Sequence, residues 1–361
     1  MKKRSYTITI LLLLGAFLFT PSAFAQSNET AQGMGFTFDL QFPNSQQGEA
    51  GFWDLLLPPN TSETMTITLR NTSPQPITVD MRIVSAKTTA AGVISYTPNE
   101  LAFDESLKHN IEELIEAPEY VELMVGEERT ITLDVAMPTE EFDGMLLGSL
   151  YMQRRPTEEE DAQTQGNILN RFSFVVGIVL RNNNNATEKN VVLNEVIAGL
   201  DNQHTAILID LSNVQSEILP DVSIEAGITR AGEDEVLFLH TQSQMRMAPN
   251  TRMLFPVQLR GQRIQPGDYT AHIVLYSEGD RWEWNENFTV TADEAREMNE
   301  SAVGLLPPVN NGVPPWIFAS GAGIVALGGY MIYSVAKKNK ELKRQLEAMQ
   351  ATDDVELEEA F

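Results

Sequence analysis

Apolar and polar residues alternate along most of the chain between residues 34 and 290. This pattern is typical of half-buried β-strands, whose successive side chains point to opposite faces. In Thr64–Arg70, for example, Met65, Ile67 and Leu69 are separated by threonines. The same kind of pattern predicts further strands at Ile77–Ile83, Ile131–Val135, Arg171–Leu180, Ala206–Leu211, Val222–Ala226, Glu235–Leu239, Met253–Leu259 and Tyr269–Tyr276.

Short strands at this spacing, separated by turns such as the proline-rich Asn71–Pro76, favour β-sandwiches of immunoglobulin type. Residues 154–166 are charged and polar without apolar periodicity, which predicts a linker. The predicted fold class is therefore mainly β, with two tandem immunoglobulin-like β-sandwich domains at residues 34–153 and 167–292.

One helix is expected to interrupt the strands of the first domain. Leu107, Ile111, Leu114 and Ile115 recur at the spacing of one apolar helix face. Pro118 cannot continue a helix, so the predicted helix ends before it.

Two of the four tryptophans, Trp282 and Trp284, lie one residue apart near the end of the second domain. By parity they share a strand face with Phe288 and Val290, which favours packing inside the sandwich. Glu286 interrupts this stripe and predicts a bulge. A second interpretation, in which one tryptophan is a partly exposed binding platform, stays open.

The N-terminus has the pattern of a secretory signal peptide. A basic segment, Lys2 to Arg4, precedes the mostly apolar residues 8–19, and Ala23-Phe24-Ala25 fits the small-x-small cleavage pattern. We therefore predict a signal peptide over residues 1–25, cleaved after Ala25.

The second apolar run, Trp316–Val335, has 20 residues without a charge. As a helix it would cover roughly 30 Å, the thickness of a hydrocarbon core. The basic residues that follow predict a cytoplasmic C-terminus: Lys337, Lys338, Lys340, Lys343 and Arg344. The prediction is a single-pass cell-membrane protein with an extracellular N-terminal part, a stalk at 293–315, a transmembrane helix at 316–335 and a tail at 336–361.

The composition narrows the possible partners. The net charge of −25 argues against nucleic acid, whose phosphates would repel the chain. The absence of cysteine means that disulfides cannot hold the domains, so their cores must do so.

No motif with catalytic or metal-binding spacing is recognisable. The four histidines are scattered at His109, His204, His240 and His272, and no phosphate loop or nucleophile elbow occurs in a suitable setting. We therefore predict no cofactor, no metal site and no catalytic residue. A carboxylate pair of glycosidase type can be neither selected nor excluded among 50 acidic residues.

Several stretches carry a resemblance to a known family, in this order: GFWDLLLPPNTSETMTITLRNTSPQPITVDM (51–81), AGVISYT (91–97), RFSFVVGIVLRN (171–182), MRMAPNTRMLFPV (245–257), QPGDYTAHI (265–273) and WEWNENFTV (282–290). Together with the order of the predicted segments, they resemble the WxL-interacting proteins, membrane-anchored surface proteins of Gram-positive bacteria. The first two stretches are similar to the family's N-terminal domain and the others to its C-terminal domain, with RFSFVVGIVLRN as the first strand of that domain.

The resemblance implies a first domain of peptidoglycan-binding type and a second of host-binding type, which contacts extracellular matrix. The implied partners are peptidoglycan, a WxL-domain surface protein and a host matrix protein. Trp53-Asp54-Leu55 is itself a W-x-L sequence, but WxL domains carry two such motifs near the C-terminus. The chain therefore resembles a partner of WxL proteins. The candidate binding residues are Trp53, Trp282 and Trp284.

These observations predict a non-enzymatic, membrane-anchored binding and scaffold protein of the cell surface. Three alternatives stay open: an adhesin for host matrix, a cell-wall enzyme, and a donor or acceptor of strands during surface assembly. For the last, the long apolar segment Arg171–Leu180 is the expected place, although it also fits a buried central strand.

Overall fold

The structure is a computed structural model that describes residues 35–157, 160, 171–185, 187–307, 337–338 and 340. The predicted signal peptide, its cleavage site after Ala25 and the predicted span Trp316–Val335 lie outside the described residues, as does most of the predicted linker. Within the described part of the chain, no helix is both long and apolar enough to cross a membrane. Of the basic residues after the predicted span, three are helical and exposed and two lie outside the described part: Lys337, Lys338 and Lys340, then Lys343 and Arg344.

The first sandwich consists of two sheets that share one core. Its strands are β1 (Phe36–Gln41), β2 (Trp53–Leu56), β3 (Ser62–Asn71), β4 (Ile77–Ser85), β7 (Ile115–Glu116), β8 (Tyr120–Leu123), β9 (Glu128–Ala136), β10 (Leu146–Arg154) and β11 (Ser173–Arg181), with a hairpin of β5 (Lys87–Thr88) and β6 (Ile94–Ser95) between β4 and β7. One sheet has the order β1-β3-β9-β7 and the other the order β2-β11-β10-β4-β8.

Apolar residues at alternate positions fill this core, as the sequence predicts. Met65, Ile67 and Leu69 of β3 are buried, while the residues between them lie at the surface. The Trp53 ring is 0% exposed, and its indole nitrogen donates a hydrogen bond of 3.1 Å to the Gln41 carbonyl. A buried tryptophan thus fills the core and has a partner for its polar atom.

Strand β11 lies in a place that differs from the expected one. The sequence suggests that it opens the second sandwich, but it pairs antiparallel with β10 and parallel with β2. Its residues Val176, Ile178 and Leu180 are buried in the first core. Alternation determines which side chains of a strand are buried, but it does not determine which sheet the strand joins.

The second sandwich also consists of two sheets. Its elements are β12 (Val191–Asp201), β13 (His204–Asn213), β14 (Leu219–Arg230), β15 (Val236–Met247), β16 (Thr251–Gln258), β17 (Gly267–Ser277) and β18 (Asp280–Val290). The sheet orders are β12-β13-β16 and β15-β14-β17-β18. Its core is dominated by aliphatic residues and methionines around the fully buried Phe255.

The helix expected around Leu107–Ile115 is much shorter in the structure. Helix α1 (Ile111–Leu114) begins after Asn110, whose side chain accepts a hydrogen bond from the backbone of Glu112. Ile115 is extended and pairs with Val135 of β9. Capping by Asn110 and pairing of Ile115 therefore determine both ends, and tertiary contacts override the helical spacing.

The first part of the predicted stalk is a helix that packs on the second sandwich. Helix α2 (Ala292–Ser301) starts with a capping box between Thr291 and Glu294. Ala295 is buried in the second core, and the Asn299 side chain exchanges two hydrogen bonds of 2.9 Å with the backbone of Ile264. Residues 292–301 therefore belong to the second sandwich.

The two sandwiches contact each other through the hairpin β5–β6 and belong to one compact unit that extends to Leu305. The Thr88 and Thr251 hydroxyl oxygens lie 2.6 Å apart, both buried, and the Ala248 backbone donates to Thr88 at 2.9 Å. The backbone N–H of Arg246 donates to the Gly92 carbonyl at 2.8 Å. Apolar residues of both sandwiches form a third buried cluster at this junction: Ala86, Met145, Leu147, Val179 and Ala248.

A polar network lies beside this cluster. The Ser212 hydroxyl of the second sandwich donates to the Asp104 carboxylate of the first. The Asn194 amide donates to Ser212 at 2.8 Å and to Asp210 at 3.1 Å. Asp210 is fully buried and pairs with Arg252. Each buried polar group of this network thus has a partner, as buried polar groups require.

We expect Asp104→Ala to destabilise the protein in a pH-dependent manner. Burial by itself raises the pKa of Asp104, but hydrogen bonds from Ser106 and Ser212 outweigh it and hold this pKa below its ordinary value. The stabilisation is therefore present above the unfolded pKa of about 3.9 and is lost as pH falls through the folded pKa. At pH 7 the variant should lose about 1–3 kcal/mol of unfolding free energy, and the difference should shrink below about pH 4.

Denaturant unfolding near pH 7 and near pH 3 measures this difference. Asp39→Ala, at an exposed carboxylate on β1, is the matched control and should unfold like the wild type. Equal midpoints for both variants at neutral pH would show that Asp104 does not stabilise the junction.

We also expect Trp53→Ala to lower the unfolding free energy by about 3–5 kcal/mol, because it leaves a cavity in the first core. Trp53→Phe should cost less, although it leaves the Gln41 carbonyl without its donor. Calorimetry of the wild type and the two variants measures their relative stabilities. A Trp53→Ala protein with wild-type stability would contradict a core role.

Candidate functional site

The outer face of the five-stranded sheet in the first sandwich carries two rows of polar and aromatic side chains. In one row, Asp80 of β4 lies opposite Tyr120 of β8 on one side and Gln153 of β10 on the other. In the next row, Arg82 of β4 lies opposite Tyr151 of β10. Residues two apart on a strand share a face, so both rows point away from the core.

An arginine holds the first row together. Arg155 follows β10 and contacts the Asp80 carboxylate through Nη2 at 2.5 Å and through Nε at 3.1 Å. Its guanidinium also lies 5.1 Å from the centre of the Tyr120 ring. Hydrogen bonding to Asp80 raises the pKa of Arg155, whose guanidinium is charged at any physiological pH. Tyr120 is 49% exposed, so much of its ring remains accessible.

The second row consists of Arg82 and Tyr151, whose side chains are available to contact a ligand. Arg82 is exposed, and no hydrogen bond or ion pair joins its guanidinium to any other residue that the structure describes. Tyr151 is half-buried beside it. A guanidinium of this kind can donate to a carboxylate or carbonyl oxygen of a ligand.

The rows form the floor of an open groove of about 1130 Å³. One wall is formed by residues before and around helix α1, and the far end reaches β11: Thr97, Pro98, Glu112, Ile115, Ala117, Glu119 and Ser173. The volume exceeds that of a typical small-molecule site, and the groove is open to solvent rather than enclosed.

This set of side chains suits an extended polar ligand such as a glycan strand with attached peptides. The C–H faces of sugar rings can lie against the tyrosine rings, while Gln153 and Ser173 offer hydrogen bonds to hydroxyl and amide groups. Arg82 adds a positive charge for a peptide carboxylate. Asp80 is already paired with Arg155, so it acts as a support for the groove.

Trp53, a candidate binding residue on sequence grounds, offers no surface. It is 0% exposed in the first core, so a ligand cannot reach its ring without unfolding. Its W-x-L neighbour Leu55 is also fully buried.

Trp282 and Trp284 lie on the inner side of β18, half-buried against the second core. They pair across the sheet with Leu275 and Ile273, respectively. This placement favours sheet packing, and because both rings are partly exposed, the binding-platform interpretation stays a prediction. The bulge expected at Glu286 is absent, since β17 and β18 pair in continuous register along their length.

Sequence reasoning did not select the groove residues. Asp80 and Arg82 are the polar members of the alternating β4, and Tyr151 alternates with the buried Leu150 and Met152 of β10. The sequence therefore indicates which residues of each strand point outward. It does not indicate that these residues form one surface, because that depends on the strand order β10-β4-β8.

The scattered histidines stay apart in the structure. Among the described residues, no group of three or more histidine, aspartate or glutamate side chains is placed to hold a metal ion. His240 packs against Phe255 at 5.0 Å between ring centres, and His272 contacts Asn285 on the outer face of the second sandwich.

Solved structures that the chain is similar to include fimbrial chaperones. The chain is 12% identical to the Escherichia coli chaperone DraB, with a TM-score of 0.25. The match covers 71% of this chain and 98% of the chaperone. It is 9% identical to a chain of the CsuC–CsuE chaperone–tip adhesion subunit complex of Acinetobacter baumannii (TM-score 0.28; 71% and 98% covered). A PapD-like domain of human CEP192 is 8% identical (TM-score 0.26; 42% and 88% covered). These likenesses carry no information about function, and no curated protein sequence matches the chain.

Two family models match the chain in succession. Residues 36–154 match the peptidoglycan binding domain of the WxL Interacting Protein, and residues 163–300 match its host binding domain. The two models follow one another in the order that the sequence resemblance suggests and cover most of the chain, including the groove strands β4, β8 and β10. The chain belongs to the WxL-interacting protein family.

Proposed function

We propose that this protein is a non-enzymatic, membrane-anchored scaffold of the cell surface that binds peptidoglycan in the groove of its first sandwich. The observation that carries the proposal is the pair of rows Tyr120–Asp80–Gln153 and Arg82–Tyr151 on one open sheet face. This face lies within the residues that match the peptidoglycan binding domain.

The form of the groove supports a polymeric ligand. It is open along its length, so a glycan strand can enter without a free chain end. The tyrosines and polar groups come from β-strands, which hold them in fixed positions and reduce the entropy lost on binding. Arg82 in particular offers a charged donor that is not neutralised within the described part of the protein.

The state of two of the three groove carboxylates favours binding over catalysis, while the third, Glu119, is exposed. A general acid or nucleophile needs a carboxyl group that can face the substrate. Asp80 is held by Arg155, and Glu112 accepts a hydrogen bond of 2.8 Å from the Ser85 backbone. These two groove carboxylates are thereby engaged in holding the walls.

The second sandwich supplies the scaffold part of the proposal. We propose that it engages a WxL-domain surface protein, while the first sandwich holds the cell wall. The alternative is an adhesin, favoured by the match of residues 163–300 to a host binding domain, in which the second sandwich binds a host matrix protein. In both versions the predicted span Trp316–Val335 anchors the chain to the membrane.

We expect Arg82→Ala and Tyr151→Ala each to weaken peptidoglycan binding about tenfold or more, since each removes a central contact of the groove. Both side chains point away from the core, so the thermal unfolding temperature should change little. Co-sedimentation of the full-length protein with purified peptidoglycan measures the affinity.

Arg70→Ala and Tyr276→Ala are matched controls, because both side chains are exposed on other sheet faces. They should bind like the wild type. If all four variants bind equally, the groove is not the binding site. If the wild type does not sediment with peptidoglycan, the proposed function fails as a whole.

A further prediction concerns the anchor. Deletion of residues 316–361 should move the protein from the membrane fraction to the medium, because the apolar run that favours the bilayer is removed. Deletion of residues 345–361 alone keeps that run and the basic residues, so it should leave the protein in membranes. Immunoblots of the two fractions distinguish these outcomes, and retention of the first variant in membranes would contradict the anchor.

A further inference from the structure

We infer that the exposed edge of strand β15 in the second sandwich is a docking site for an extended segment of a partner protein, which adds to the sheet as a further strand. The occupant is a segment with apolar side chains at alternate positions and lysine or arginine residues at one end. This inference does not depend on the groove of the first sandwich.

The backbone of β15 is open on one side. The strand pairs with β14 and ends the sheet β15-β14-β17-β18. Between Val236 and Gln244, the residues that the structure describes give it no backbone hydrogen bond apart from its pairing with β14. Unpaired N–H and C=O groups along a sheet edge form a template for another strand.

This edge lacks two of the features with which proteins usually prevent such pairing, namely charged residues and proline. No charged residue and no proline occurs from Val236 to Gln244. Strand β15 as a whole has one charged residue, Arg246, near its C-terminal end. In the four main sheets of the described chain, each of the other edge strands also has a charged residue or a proline: Asp39, Asp54, Glu116, Glu122, Glu195, Pro256 and Glu283. Charges and prolines on an edge oppose the addition of a strand, and none occurs between Val236 and Gln244.

The first four side chains of the open segment are apolar, and three of them are exposed. Val236 and Leu239 are each 53% exposed, and Leu237 lies between them at the surface. The register with β14 shifts between Val236 and Phe238 and again between Gln242 and Met245, and Phe238–Gln242 pairs with β14 in continuous register. A regular segment of about five residues matches a typical strand length, which is enough for an added strand.

The other end of the same edge already contacts a turn of the first sandwich. The backbone N–H of Arg246 donates to the Gly92 carbonyl, and the Gln242 amide donates to the Ala91 carbonyl at 2.8 Å. The turn of the β5–β6 hairpin from the first sandwich thus covers the C-terminal end of β15. The open segment continues this existing contact along the strand.

The charges beside the open segment indicate the chemistry of the occupant. Glu233, Asp234 and Glu235 immediately precede β15 and are exposed. Within the described part of the chain they form no ion pair with a basic side chain. A partner segment with basic residues at the adjoining end would neutralise them, which favours its association. A second copy of this chain, with net charge −25, would meet overall repulsion.

The test uses the full-length protein and a labelled peptide of alternating valine and threonine that ends in two lysines. We expect saturable binding by fluorescence anisotropy, and slower amide hydrogen exchange confined to residues 236–244. A peptide that ends in two glutamates should bind at least about tenfold more weakly. A peptide with proline at its central position should not bind, because it cannot complete the ladder.

Leu239→Lys places a charge on the open edge. It should weaken binding of the lysine peptide at least about tenfold. Val192→Lys, at an exposed apolar position on the distant strand β12, is the matched control and should bind like the wild type. Equal binding by both variants, or exchange protection elsewhere, overturns the inference. So does sedimentation evidence that β15 is covered by a second copy.

Discussion

The buried contact between the two sandwiches is the constraint on which the arrangement of the protein depends. The Thr88 and Thr251 hydroxyls meet where water is excluded, and a misplaced hydroxyl there would lose its partner at a substantial cost. Since the chain has no cysteine, no disulfide can join the sandwiches. This contact and the neighbouring network of Asp104 and Ser212 hold them together instead. The hairpin β5–β6 therefore acts as part of both domains.

Much of the fold could be predicted because the apolar residues of a half-buried strand alternate with polar ones in its sequence. Met65, Ile67 and Leu69 are an example, and the inward Trp282 and Trp284 are another. The groove could not be predicted in this way, because Tyr120, Asp80 and Tyr151 come from three strands whose order the alternation does not encode. For the same reason β11 could be recognised as a strand while its sheet could not.

The two surfaces differ in what they can recognise. The groove presents side chains from fixed strands, so it can distinguish ligands by the position of hydroxyl, amide and carboxylate groups. The edge of β15 presents mainly backbone, which selects for an extended conformation and alternating side chains more than for a particular residue. The two proposed ligands, a glycan polymer and a protein segment, would therefore occupy different surfaces of one chain without competition between them.

The position of β11 has a consequence for the order of events during synthesis. Ribosomes make the chain from its N-terminus, and β11 ends at Arg181, well beyond the last residue matched by the first family model. Until β11 is available, β2 lacks its neighbour and the edge of β10 stays open. The first sandwich can therefore complete its fold only when residues beyond its own family match are present, and a gene fragment that stops at residue 154 encodes a sheet with a missing strand.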